Sequence, residues 1–340
     1  MTQFRLVNPY AYIYVDVTDD QGVVINWNCE MMSAVSLRRR GWTAGAIPAG
    51  VGISLEDISA RRDPNGCSFV SAVLKYGTMI SLGGPIQTGA AALAASGGAA
   101  TNEASAIALA ASTNAANPAA TFTWKWMSSA RGRGRGARQG GGVGAPQNTG
   151  TRGGGGGRPG IEAFEPLMTD ASKADASKYD DRFDDPVLQC SPSSIVRGWQ
   201  ESNSPSDVSL NGNQLIIKHE SMDTVRRIDL STCEHQTEIT PSLTGHSVGW
   251  MEGATLVIET VGVEAGVLIP HPEVVNTADM RIVERLTISS DGRNLLRSYE
   301  VTDPACLRAP ITGNNSWDRS EVAVSEYDCT ELSGVNNVRP

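Results

Sequence analysis

The chain predicts an all-β protein: a small OB-like barrel, then a disordered linker, then a larger antiparallel β-barrel or sandwich. Three observations carry this. Short runs rich in aromatic and β-branched residues alternate with Asp-Gly, Asn-Gly and Asp-Pro turn pairs at both ends of the chain. Between them lies low-complexity sequence, with 16 alanines among residues 86–120 and 14 glycines between Gly132 and Gly160. Charge divides the same way, with net values of 0 over residues 1–85, +6 over 86–160 and −15 over 161–340.

In the N-terminal part, residues 10–18 form one strand and residues 23–31 a second, joined at Asp19-Asp20-Gln21-Gly22 as a hairpin. Ser33 opens a short helix that runs through Leu37 to Arg40 and ends near Gly41. Residues 50–61 and 67–76 give two more strands around Asp63-Pro64-Asn65-Gly66. Four or five short strands and one small helix suit a barrel of the OB type, and residues 1–85 are taken as that domain. Residues 86–160 read as a flexible linker, since the run from Arg131 to Arg138 and the glycines after it bury too little to offset their ordering entropy. An Arg/Gly tract is the one candidate for a nucleic-acid partner. It lacks interleaved aromatics, and the acidic C-terminal part offers no groove for phosphates.

Residues 161–340 form the larger domain. Ser290-Asp291-Gly292-Arg293 sets a hairpin register that pairs 288 with 295, 286 with 297, 284 with 299 and 282 with 301. One face of that hairpin is apolar except for Glu284, Tyr299 and Arg297. Such groups on an apolar face pair with one another or with a ligand, because an unpaired buried charge is costly. Together with Trp250 they are the candidate ligand-binding residues. A second hairpin, turning at Glu252-Gly253, pairs 251 with 254 and sets His246 opposite Glu259. A histidine–carboxylate pair is the minimal acid–base unit, and His246, Glu259 and His271 are the candidate catalytic residues. The histidines show no HxH or HExxH spacing, so no metal is assigned. There is no nucleophile elbow, P-loop or dinucleotide fingerprint, so no cofactor is assigned.

No run of 18 apolar residues is present, which excludes a membrane-spanning helix. The chain opens without a basic and apolar leader. Six cysteines show no CxxC; they read as small buried thiols or, for Cys190 with Cys329, as a disulfide closing nearly all of the C-terminal domain.

The stretch Asn8-Pro9-Tyr10-Ala11-Tyr12, followed by Leu37-Arg38-Arg39-Arg40-Gly41-Trp42-Thr43, resembles a bacterial family of uncharacterised, usually secreted or periplasmic proteins. Its small domain commonly reads NPHSW at the first of these positions. Gly245-His246-Ser247-Val248-Gly249, Glu252-Gly253 and Thr255-Leu256-Val257 resemble a domain found beside similar envelope proteins. Departures stand at Tyr10, at Trp250-Met251 and at Ala254. The resemblance implies a periplasmic or extracellular protein. The leading functional expectation is therefore an envelope protein that binds a small molecule or glycan in its larger β domain. The alternatives are a lipocalin-like enzyme using His246 with Glu259, and a structural or interaction protein.

Overall fold

The computed structural model describes residues 1–60, 63–75, 77–82, 117–128, 161–200, 204–269 and 273–332. These fall into two compact units. The first holds residues 1–82 with 188–190 and 327–332; the second holds 117–128, 161–187 and 191–326. Among the described residues, no helix is long and apolar enough to cross a membrane.

The first unit is a six-stranded sheet: β1 (Gln3–Arg5), β2 (Tyr12–Thr18), β3 (Val24–Glu30), β4 (Ile53–Ser59), β5 (Gly66–Leu74) and β6 (Met79–Ser81). The spatial order is β1-β2-β3-β5-β4, with β6 also on β5. The β2–β3 turn forms where expected. Asp19 Oδ1 accepts from the backbone N–H groups of Gln21 and Val23, and Gly22 takes a positive φ of 82°. The helix α1 (Ala34–Arg39) starts after Ser33 and stops before Gly41. It buries Leu37 under the sheet with Ile13, Trp42 and Phe69. Cys29 and Cys67 are register partners on the parallel pair β3–β5 and form a disulfide. A second disulfide, Cys190–Cys329, joins residues 188–190 to residues 327–332 of the same unit. Asn8 anchors the second of these segments: its carbonyl accepts from the Thr330 N–H at 2.9 Å, and its amide donates to the Tyr327 carbonyl. Residues 327–332 thus leave the expected 161–340 domain and belong with the N-terminal sheet.

The second unit is a closed barrel. Its strands are β7 (Trp124–Ser128), β8 (Pro205–Asn211), β9 (Gln214–His219), β10 (Val225–Asp229), β11 (His246–Glu252) and β12 (Thr255–Val261). After a small β13 (Gly266–Ile269) and β14 (Val274–Asn276) pair come β15 (Arg281–Ile288), β16 (Asn294–Thr302) and β17 (Ile311–Ser320). Around the ring the order is β10-β11-β12-β15-β16-β17-β7-β8-β9, with β9 pairing β10 to close it.

Strand β7 lies inside the stretch expected to be linker. Averaged composition hid it: Phe122 and Trp126 are fully buried, and Trp124 packs against the same cluster. The barrel is antiparallel as expected except at one neighbouring pair, β10 and β11, which are parallel. The reason is topological. Nine strands cannot alternate direction around a closed ring, so one neighbouring pair must run the same way. The long connection from Leu230 to Gly245 makes that return, as a parallel pair requires. The Arg131–Arg138 tract lies outside the described residues.

Along each barrel strand the alternate residues point inward. They form two apolar clusters. One contains Trp126, Val208, Ile217, Ile228, Ile258, Leu286, Leu295 and Trp317. The other contains Ile282, Val301 and Ile311 together with Ile195, Val196 and Met168. Helix α2 (Asp170–Ala176), capped by the Thr169 hydroxyl, contributes Ala176 to the second cluster.

Candidate functional site

The register of the β15–β16 hairpin is the one the Asp291-Gly292 turn dictates: 282 pairs with 301, 284 with 299, 286 with 297 and 288 with 295. Glu284 therefore projects inward opposite Tyr299, with Arg297 on the diagonal. Tyr299 pairs with Gly313 on β17, where a Cβ would stand 2.4 Å from the phenol oxygen. A side chain at position 313 would force the tyrosine ring to shift.

Between the two apolar clusters, eight consecutive strands each supply an inward polar residue. These are Ser206, His219, Arg226, Ser247, Thr260, Glu284, Arg297 and Asn315. At the centre Glu284, fully buried, binds two arginines. Arg297 Nε donates to Oε1 at 2.7 Å, and Arg226 Nη2 donates to Oε2 at 2.5 Å, with Nη1 at 3.3 Å from Oε1. Arg297 Nη1 donates to Asn315 Oδ1 at 2.9 Å. Arg226 Nη2 lies 3.4 Å from the Thr260 hydroxyl, itself 2.7 Å from the Ser247 hydroxyl. The Arg297 guanidinium sits 4.4 Å from the Tyr299 ring centroid and 5.9 Å from that of Trp199. Trp199 comes from the turn Gly198–Gln200; its carbonyl accepts from Trp317 Nε1 at 2.8 Å. Three buried donors of this assembly have no acceptor among the described residues: Arg226 Nε, Arg297 Nη2 and Trp199 Nε1.

Burial would raise the Glu284 pKa, but the two guanidiniums outweigh it and hold the carboxyl at about 2. His219 is held neutral by burial and then by Arg226, its pKa lowered to about 3, while its Nδ1 meets the Ser206 hydroxyl at 2.7 Å. Below pH 6.5 the unfolded chain takes up a proton at this histidine that the folded chain refuses until about pH 3. The contribution of neutral His219 is thus complete above pH 6.5 and lost as the pH falls toward 3. One proton changes stability by about 1.4 kcal/mol per pH unit. Urea unfolding should therefore show roughly 2 kcal/mol less stability at pH 5 than at pH 6.5 from this group. Glu284 adds its own loss only below its ordinary range. His219→Gln should flatten the first part of that slope; an unchanged slope would clear His219 of the effect.

The His246–Glu259 pair is displaced from its expected register. Glu252, not Met251, closes the β11–β12 hairpin by pairing with Thr255, because the positive φ of Gly253 opens a two-residue loop over 253–254. His246 then pairs with Val261 and Glu259 with Val248, so the two are diagonal neighbours on the outer face. A residue that was not among the candidates joins them. His235, on the β10–β11 connection, lies with Nδ1 at 2.9 Å from His246 Nδ1 and Nε2 at 3.5 Å from Glu259 Oε1. Arg281 also grips Glu259 and, as the largest cause, holds its carboxyl below the usual range. Burial lowers the His235 pKa.

Trp250 is likewise on the outer face, donating from Nε1 to Glu252 Oε1 at 3.1 Å, away from Glu284. His271 lies outside the described residues. Among the described residues, no group of three or more His, Cys, Asp or Glu side chains is placed to hold a metal. A separate surface pocket of about 470 Å³ is lined by Trp124, Lys125, Asp207, Ser209 and Glu321, among others.

Arg226 and His219 were legible by alternation, since each shares its strand face with the apolar Ile228 or Ile217. Their meeting with Glu284 requires the closed ring. Trp199 carries no such signal, because it sits in a 3-10 turn.

Fold and site together define a nine-stranded closed β-barrel with a buried, charged polar belt. Residues 1–68 match the model of a family of unknown function (DUF6152). No curated protein matches. Among solved structures, the chain is similar to a mutant of the fluorescent protein UnaG, at 15% identity and a TM-score of 0.22, over 35% of this chain and 73% of that one.

Proposed function

We propose that the barrel binds a small molecule in its interior, through Arg297, Glu284 and Tyr299, joined by Arg226 and Trp199. The observation that carries this reading is the set of buried donors without acceptors among the described residues: Arg226 Nε, Arg297 Nη2 and Trp199 Nε1. Each such donor costs about 1–3 kcal/mol when unsatisfied, and a bound acceptor removes that cost. The disulfides Cys29–Cys67 and Cys190–Cys329 support a periplasmic or extracellular setting, where such bonds persist.

The acid–base reading is less well supported. Arg281 and His235 engage the Glu259 carboxylate, which weakens it as a proton acceptor. A glycan is favoured by one observation, the surface pocket, whose lining includes Trp124 together with Asp207 and Glu321. An indole face packs on sugar C–H groups while carboxylates accept from vicinal hydroxyls.

Thermal denaturation of the full chain with a panel of organic acids, alcohols, amines and oligosaccharides tests these readings. A ligand at 100 times its Kd should stabilise the protein by about 2.7 kcal/mol. A shift abolished by Arg297→Ala but not by Asp207→Asn supports the interior site, and the reverse pattern supports a glycan in the pocket. No shift across the panel leaves the structural alternative, with the belt acting as an internal salt bridge.

A further inference from the structure

Resting on the reading that the barrel interior takes a ligand, we infer that this ligand is a monoanionic organic acid whose carboxylate meets Arg297 and Arg226 and whose body is apolar. The charges of the belt do not balance. Two guanidiniums, Arg226 and Arg297, and one carboxylate, Glu284, are each no more than 2% exposed. The neighbouring His219 is neutral, as its burial requires. The belt therefore carries one positive charge in excess, in surroundings where an uncompensated charge is costly.

Donor geometry agrees with the count. Glu284 uses both terminal nitrogens of Arg226 and the Nε of Arg297, while Asn315 takes Arg297 Nη1. Among the described residues, this leaves Arg226 Nε, Arg297 Nη2 and the Trp199 indole N–H without acceptors. Two of the three open donors are on guanidiniums, where a charged acceptor forms bonds roughly twice as strong as a neutral one does. A single carboxylate balances the belt; a dianion would overshoot by one charge.

The rest of the molecule follows from what flanks the belt. The inward residues on either side are Ile282, Leu286, Leu295, Val301 and Trp317. They offer hydrogen-bonding groups little and apolar surface much, so a compact inorganic anion would leave their contacts unused.

Calorimetric titration of the full chain at pH 7 tests this with matched probes: decanoate against decanol, 4-phenylbutyrate against 4-phenylbutanol, and inorganic phosphate. At least one acid should bind ten times more tightly than its alcohol, and phosphate should not saturate. Arg297→Met leaves Glu284 paired one to one with Arg226. In that variant the acid should fall to within about threefold of the alcohol, whose own affinity stays as it was. Alcohols that bind as tightly as the acids, or an acid preference that survives Arg297→Met, would overturn the charge inference and leave an interior site standing. If none of these probes binds the folded wild-type chain, the inference is wrong, and the broader ligand panel decides whether the interior is a site at all. The comparison of acid with alcohol needs no variant, so it holds even if Arg297→Met folds poorly.

Discussion

Replacing Glu284 with leucine is expected to cost about 3–5 kcal/mol of barrel stability, because it strands two buried guanidiniums with no counter-charge. Arg226 and Arg297 both terminate on this one carboxylate, and neither can reach solvent by a small rotation, being 2% and 1% exposed. A loss of that size is a large fraction of the roughly 5–15 kcal/mol that holds a domain folded, so partial unfolding at room temperature is expected. The informative control is a triple variant, Arg226→Met, Glu284→Leu and Arg297→Met. Removing all three charges together removes their desolvation cost as well, and well-packed replacements of buried ion triads range from neutral to about 1–4 kcal/mol more stable. Urea unfolding should thus find Glu284→Leu much weaker than the wild type and the triple variant near or above it. A triple variant that folds but binds no organic acid would separate the belt's role in recognition from any role in stability. If Glu284→Leu unfolds at the wild-type midpoint, the buried charge cluster is not formed in solution.

The second large effect is expected at Cys190–Cys329. The two cysteines are 139 residues apart, and almost all of that span is barrel. In the chain-entropy model a closed loop of this length lowers the freedom of the unfolded chain by about 5 kcal/mol, against about 4 kcal/mol for a loop the size of the Cys29–Cys67 one. The double variant Cys190→Ser/Cys329→Ser should therefore unfold at a clearly lower temperature than the wild type, and by a larger margin than Cys29→Ser/Cys67→Ser. Serine pairs are preferable to reductant, which would open both bridges at once. Equal melting of the first variant and the wild type would mean that the bridge is absent from the protein tested or that its unfolded chain is already compact.

Much of this architecture was legible from local chemistry. Asp19 to Gly22 dictates the first hairpin, and Asp291-Gly292 dictates the pairing that sets Glu284 opposite Tyr299 with Arg297 on the diagonal. Both are decided within a few residues, by positive-φ glycine and by side-chain oxygens that accept from the turn's own backbone. Alternation then placed Glu284 and Arg297 on an apolar face, which pointed to a buried polar cluster. Where the turn chemistry was less decisive, as at Glu252-Gly253, the register was misplaced by two residues and His246 was set opposite the wrong partner. The face survived that error, because a shift by an even number keeps side chains on the same side.

Other features depend on contacts between residues far apart in the chain, and no local pattern encodes those. Arg226 reaches Glu284 across 58 positions, and Trp199 packs on Trp317 across 118. Strand β7 earns its place from Trp126, buried against strands that begin some 80 residues later along the chain. The single parallel pair follows from the number of strands in the ring, which is known only once the ring is closed. By itself, then, the sequence determined the β class, the principal hairpin and the residues on its inner face, because backbone turns and period-two alternation are local. The tertiary structure alone decided that Glu284 has two arginine partners, that His235 joins His246 and Glu259, and that the belt keeps donors unused. Those are properties of closure, which brings distant strands to one interior and determines which charges there find a partner.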